Sequence, residues 1–156
     1  MTRTGDRRQP TVEQAPAIWA RAAARLAKHV EIALDDVELS LPQYRVLALL
    51  TAGSAAGSAL ASKLAVSPPS VTALVDGLVG RGLVERRPDP LDRRRVSHLL
   101  TDKGRRALSD ADAAVDARLV DIAAHLEPRE RARAIAGLQL WYAAMDAYRE
   151  ARARHG

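Results

Sequence analysis

Residues 58–100 read SALASKLAVSPPSVTALVDGLVGRGLVERRPDPLDRRRVSHLL, and the breaks inside this stretch decide the fold. At Ser67-Pro68-Pro69-Ser70 a hydroxyl able to cap a helix precedes two prolines. A first helical turn tolerates those prolines, because N–H groups there have no intrahelical partner to lose. Upstream, residues 58–65 carry Leu60 and Leu64 one turn apart. Downstream, Val71, Leu74, Val75 and Leu78 fall at i, i+3, i+4 and i+7, the apolar stripe of a helix that Gly80 or Gly82 can end. Two short helices joined tightly, the second opening on Ser and Pro, have the pattern of a helix-turn-helix. Next, residues 83–87 and 96–100 are short, partly alternating runs separated by Pro88-Asp89-Pro90-Leu91-Asp92-Arg93-Arg94-Arg95. They predict a hairpin with a long, basic, proline-stiffened tip.

The flanks are helical. Ile18, Ala22, Leu26, Val30, Ala33, Leu34 and Val37 recur at steps of three and four and predict a long first helix over 15–37. Ser40 and Gln43 have capping-box spacing, with Pro42 in the first turn and Val46, Leu47, Leu49 and Leu50 as the buried face. Residues 51–57, rich in Gly, Ala and Ser, read as a connection. After the hairpin, Thr101-Asp102-Lys103-Gly104 caps a helix bearing Leu108, Ala111, Val115, Leu119, Ile122 and Leu126. Pro128 restarts the chain as a last helix with Ile135, Leu138, Met145 and Tyr148 on its inner stripe. The expected fold is therefore mainly α with a small β-hairpin, a helix-turn-helix over 38–101 embedded in helices over 15–37 and 102–153. The polar residues 1–14 read as a flexible arm.

Composition narrows the function. The chain has 156 residues, enough for one compact domain or a small domain wrapped by long helices. It is 47% hydrophobic but only 3% aromatic, without Phe, so its core is built from Ala, Leu and Val. A formal charge of +5 and a pI of about 10.2 suit a polyanionic partner. The absence of Cys excludes disulfides, thiolate metal sites and thiol redox switching within the chain. No apolar run approaches the roughly 20 residues that span a bilayer, and residues 1–10 lack the apolar segment of a signal peptide. The expectation is a soluble, cytoplasmic protein that is not an enzyme, because no P-loop, nucleophile elbow or Gly-rich turn after a strand occurs.

Residues 92–104, DRRRVSHLLTDKG, resemble the wing signature of the MarR family of bacterial regulators, an Asp-x-Arg followed by Leu-Thr-x-x-Gly, and residues 81–86, RGLVER, are similar to that family's entry into the wing. The resemblance covers about 15–148. It implies a winged helix-turn-helix, a homodimer built on the first and the two last helices, and double-stranded DNA as partner. It also implies release from DNA by a small aromatic or anionic effector. Asp92 is implied to be a wing organiser that holds an arginine.

On the second helix of the motif the outward face holds Pro69, Thr72, Ala73, Asp76, Gly77 and Gly80. Such a helix can enter the major groove with its apolar face still in the core. Thr72 and Ala73 are candidates for base edges and thymine methyls, and Ser67, Pro69 and Ser70 for the phosphate-facing N-terminus. Gly77 and Gly80 stand where a long basic side chain would be unsurprising. That moves specificity toward Arg86 and the wing residues Arg93, Arg94 and Arg95, with Arg94 a candidate for the minor groove. Trp19, Arg25, His29 and Tyr44 are candidates for an aromatic-anion pocket, an aromatic wall with a cationic group; each also reads as ordinary core, interface or surface. No cofactor and no metal site are expected. Two other readings are a metal-responsive regulator, if His29 and His125 meet near a carboxylate, and a sequence-tolerant basic nucleic-acid-binding protein.

Overall fold

A computed structural model of the chain describes residues 16–88 and 95–153. The expected arm, and the hairpin tip with Asp92, Arg93 and Arg94, lie outside the described residues. The element order is α1 (Pro16–Asp35), α2 (Leu41–Leu50), β1 (Ala55–Ala56), α3 (Gly57–Leu64), α4 (Pro68–Gly80), β2 (Val84–Pro88), β3 (Val96–Leu100), α5 (Asp102–Ala123) and α6 (Pro128–Ala153). The chain divides into two compact units, Met1–Val115 and Asp116–Gly156.

In the first unit the core gathers Leu34 and Leu39, Val46, Leu47 and Leu50 of α2, Leu60 and Leu64 of α3, and Val71, Val75 and Leu78 of α4. Leu83, Val84, Leu100, Leu108 and Ala111 complete it. Each large aliphatic side chain removed from water in this way contributes about 1.5–3 kcal/mol, so the Leu and Val positions carry a core that has no Phe to fill it. Leu49 and Leu74, expected inside, are half-buried.

Three helices end by one device. After α1, Glu38 adopts a φ of 56°, the amide of Leu39 donates to the Leu34 carbonyl and that of Glu38 to Asp35. After α3, Ala65 takes a φ of 55° and the amides of Val66 and Ala65 return to Ala61 and Ser62. After α4 it is Gly82, at 70°, that turns the chain, with Leu83 bonded to Leu78 and Gly82 to Val79. Each is a Schellman closure, in which a left-handed residue lets the next apolar residue fold back on the helix. The first helix accordingly stops at Asp35, short of Val37.

The sheet holds one strand that the sequence does not announce. β2 and β3 pair antiparallel from Val84↔Leu100 to Pro88↔Val96, the expected hairpin, but with Pro88 in the strand instead of the tip and Leu83 outside it, because the Leu83 amide is bonded back to Leu78. On the other edge of β3, Ala55 and Ala56 pair with His98 and Ser97 to make β1, and the order becomes β1-β3-β2. Two alanines have little intrinsic preference for a strand. This one exists because β3 offers a free edge and because the Nδ1 of His98, buried in mid-strand, bonds the Ala55 carbonyl oxygen at 3.0 Å. Residues 51–57 are thus only in part a connection, and α3 starts one residue earlier than expected, at Gly57.

The start of α5 locks the base of the hairpin to the end of α4. Thr101 Oγ1 accepts from the amide of Gly104 at 2.9 Å and donates to the carbonyl of Gly82 at 2.7 Å. Lys103 Nζ donates to the Arg81 carbonyl at 2.8 Å. A Cβ on Gly104 would lie 1.9 Å from the Leu83 carbonyl oxygen, so no larger residue fits without moving backbone.

In the second unit, α5 closes at Ala123 and Pro128 opens α6. The guanidinium of Arg131 donates to the carbonyls of Ala123 (3.1 Å), Ala124 (3.3 Å) and Leu126 (3.4 Å). One side chain thereby serves three carbonyls at the end of α5, of which that of Ala123 also accepts from the amide of Leu126 at 3.0 Å. Ile135, Leu138, Met145 and Tyr148 of α6, read as an inner stripe, are all exposed in the single chain, as are Trp141 and Tyr142.

Two substitutions separate steric from conformational control. Gly104→Ala should destabilise the chain by about 1–3 kcal/mol, the cost of overpacking, although Ala is the better helix former. Glu38→Gly should stabilise it by about 1 kcal/mol, because glycine relieves the left-handed strain. Urea unfolding followed by circular dichroism measures both, and shifts of the reverse sign would contradict these packing and backbone assignments.

Candidate nucleic-acid interface

The interface builds outward from α4. Ser67, extended at φ −67° and ψ 150°, caps the helix by accepting from the amide of Ser70 at 3.4 Å, and the two hydroxyls meet at 2.8 Å. Pro68 and Pro69 occupy the first turn. With Val71, Val75 and Leu78 held in the core, Pro69, Thr72, Ala73, Asp76, Gly77 and Gly80 all emerge on the exposed side, as the helical spacing predicts. The Thr72 hydroxyl donates to the Pro68 carbonyl at 3.1 Å, which leaves its methyl and oxygen lone pairs to an incoming partner. The face is therefore narrow and small-featured, a surface that lets backbone approach closely.

Beside this face runs the base of the wing. The Arg86 guanidinium of β2 donates through Nη2 to Asp76 Oδ1 of α4. Arg87 pairs with Glu85 at 2.6 Å, and Arg95 is exposed at the start of β3. Ser67, Pro69, Ser70, Thr72, Ala73, Arg86 and Arg95 thus lie on α4 and the two strand ends that flank the wing tip, within one unit. Sequence reading missed the engagement of Arg86 with Asp76, because ten residues and a strand-helix boundary separate them. It also missed His98 as the pin of β1; its alternation with Leu100 on one face of β3 was the available signal.

The candidate effector residues are less convergent. Trp19 precedes His29 by ten positions on α1, about 15 Å of helix rise. Arg25 is exposed, and Trp19 is 40% exposed. The Tyr44 hydroxyl donates to Asp112 Oδ1 of α5 at 2.7 Å, a partner 68 residues away that no local pattern could supply. His29 differs from the rest, since its Nδ1 is buried and has no hydrogen-bond partner among the described residues. Among the described residues no three His, Asp or Glu side chains gather as metal ligands, and no helix is long and apolar enough to cross a membrane.

The family model described as MarR family matches residues 39–96. An HTH-type transcriptional regulator of Mycobacterium tuberculosis is 31% identical over 111 residues, 70% of this chain and 78% of the relative. Among solved structures, the fold is similar to RV1404 from Mycobacterium tuberculosis, 25% identical, with a TM-score of 0.72 over 90% of this chain and 98% of that one. It is also similar to the transcriptional repressor CouR bound to a 23-mer DNA duplex, 30% identical, with a TM-score of 0.67 over 87% and 99% of the two chains.

The Ser67 cap yields a direct test of how α4 is started. Ser67→Ala should lower unfolding stability by about 1 kcal/mol while Ser67→Asp retains it, as expected for an N-cap; equal stability of all three proteins would remove Ser67 from that role.

Proposed function

This chain belongs to the MarR family of DNA-binding transcriptional regulators, and from that premise we propose that it works as a homodimeric repressor on a pseudo-palindromic operator. The observation that carries the reading is the outward face of α4, unobstructed and flanked by the strands that lead to the basic tip. In this reading α4 lies in the major groove. Thr72 and Ala73 meet base edges, while Ser67, Pro69 and Ser70 meet the phosphates. Arg86, Arg93, Arg94 and Arg95 supply cationic contacts from the wing, Arg94 in the minor groove, with Asp92 organising the tip.

Dimerisation is supported by where the chain spends its few aromatic rings. Of two tryptophans and three tyrosines, Trp141, Tyr142 and Tyr148 stand exposed on α6 and Trp19 is partly exposed on α1. Aromatic residues are enriched at the cores of interfaces, and a second copy would cover these faces. A two-fold pair would place its recognition helices about one DNA turn (~10 bp) apart.

An effector is supported by His29. A buried imidazole nitrogen without a partner costs about 1–3 kcal/mol, which a hydrogen bond from His29 to the carboxylate of a bound small aromatic acid would recover. Benzoate is the simplest probe.

Selection of duplexes from a random pool by the wild-type protein should enrich an inverted repeat, bound by a species of twice the chain mass in sedimentation. Arg94→Ala should weaken that binding and lower the slope of log K against log salt by about 0.9, one phosphate-equivalent contact. Enrichment of no sequence, or a monomer on a single asymmetric site, would overturn the proposal; an unchanged slope would remove Arg94 from the contact set. Benzoate should weaken operator binding by the wild type and leave His29→Leu, otherwise DNA-competent, unaffected. Equal release of both, or release of neither, would dismiss the His29 site.

A further inference from the structure

Asp76 is an acidic residue on the surface offered to a polyanion. It sits between Ala73 and Gly77 on the outward face of α4, and its side chain is 56% exposed. An uncompensated carboxylate there would repel phosphate. Nor does fold stability account for it, because an exposed ion pair contributes little to stability. What the carboxylate does is engage the guanidinium of Arg86, which reaches it from β2.

We propose that Asp76 is a positioning residue for DNA recognition: it holds the Arg86 guanidinium at the seam between the recognition helix and the wing, with the remaining donors directed to DNA. The inference rests on the DNA-binding reading above and assigns one residue within it.

The geometry restrains Arg86 at both ends. Its backbone lies opposite His98 in the β2–β3 ladder, and His98 is tied in turn to Ala55 of β1. Its tip is tied to α4 through one Nη2–Oδ1 bond. A guanidinium carries five N–H donors in a rigid fork, so one such bond leaves others for a phosphate or a base edge, and the Arg86 side chain is 39% exposed. The neighbouring residues on α4 are small. Gly77 has no side chain to compete for the same space, and a Cβ there would only touch Gln43 Nε2, at 3.5 Å. An arginine delivered from the strand thus takes the place that a long basic residue on the helix would fill. An unrestrained arginine has rotamer entropy to lose on binding, and the carboxylate removes part of that cost before DNA arrives.

The sign of one substitution tests the idea. Asp76→Asn keeps the shape and deletes a negative charge from the DNA-facing surface, so simple electrostatics requires tighter binding. Positioning requires the opposite. By fluorescence anisotropy, Asp76→Asn should bind the duplex selected by the wild-type protein about fivefold to tenfold more weakly, a tenfold loss being about 1.4 kcal/mol. Its affinity for a scrambled duplex should be unchanged or higher. Introduced into Arg86→Ala, the same substitution should cost nothing further, and thermal midpoints of all four proteins should agree within about 5 °C. Selected-duplex affinity that holds or rises in Asp76→Asn would overturn the inference, as would an equal loss in the Arg86→Ala background. Either result leaves the regulator reading standing. A wild-type protein that does not discriminate the two duplexes would instead overturn that reading and this inference with it.

Discussion

The absence of a side chain at Gly104 lets the first turn of α5 lie against the Leu83 carbonyl, where a Cβ would sit at 1.9 Å. Around that approach the chain ties three elements. Gly82 ends α4 in a left-handed turn, Thr101 bonds the Gly82 carbonyl while capping α5, and Lys103 holds the Arg81 carbonyl. The bonds are short-range in space but join residues about twenty positions apart. They decide where β2 leaves the recognition helix, and so where the wing stands beside it. The Leu-Thr-x-x-Gly spacing thus has a mechanical reason: Thr supplies a hydroxyl that both accepts and donates, and Gly supplies room.

A second constraint is the division of labour between α4 and the sheet. The helix keeps Val71, Val75 and Leu78 in the core, and its outward face carries mostly small groups. Charge is delivered from the strands instead. Arg86 comes from β2 to meet Asp76, and the sheet that carries it is stiffened from its far edge by the His98–Ala55 bond. In a helix-turn-helix of this kind, chemistry absent from the helix can be restored by the neighbouring strand, provided the strand's position is held.

The core explains the surface of α6. Without Phe, and with all five Trp and Tyr side chains outside the fully buried set, the buried core of the first unit is Leu, Val and Ala, with Tyr44 packed half-buried against it. Aromatic area is left to the exposed faces of α1 and α6.

Local chemistry made much of this protein legible in one dimension. The Ser40–Gln43 capping box, the Ser67 cap with its two prolines and the inward stripe of α4 are set by neighbours within four residues or by the helical repeat, and each stands as the sequence predicts; the two hairpin strands pair as expected, the first of them one residue later in the chain. The outward face of α4, and with it most of the described candidate interface, follows from the same periodicity. Tertiary structure alone decided the rest. β1 exists because β3 had an edge to offer two alanines, and Gly82 rather than Gly80 turns the chain because Leu83 must fold back to Leu78. Arg86 is paired across the strand-helix boundary, and Tyr44 is bonded to Asp112 from 68 residues away. Such partners are chosen by distance in space, which periodicity does not encode, and that is why the helices could be read from the wing signature outward while the contacts that aim the interface could not.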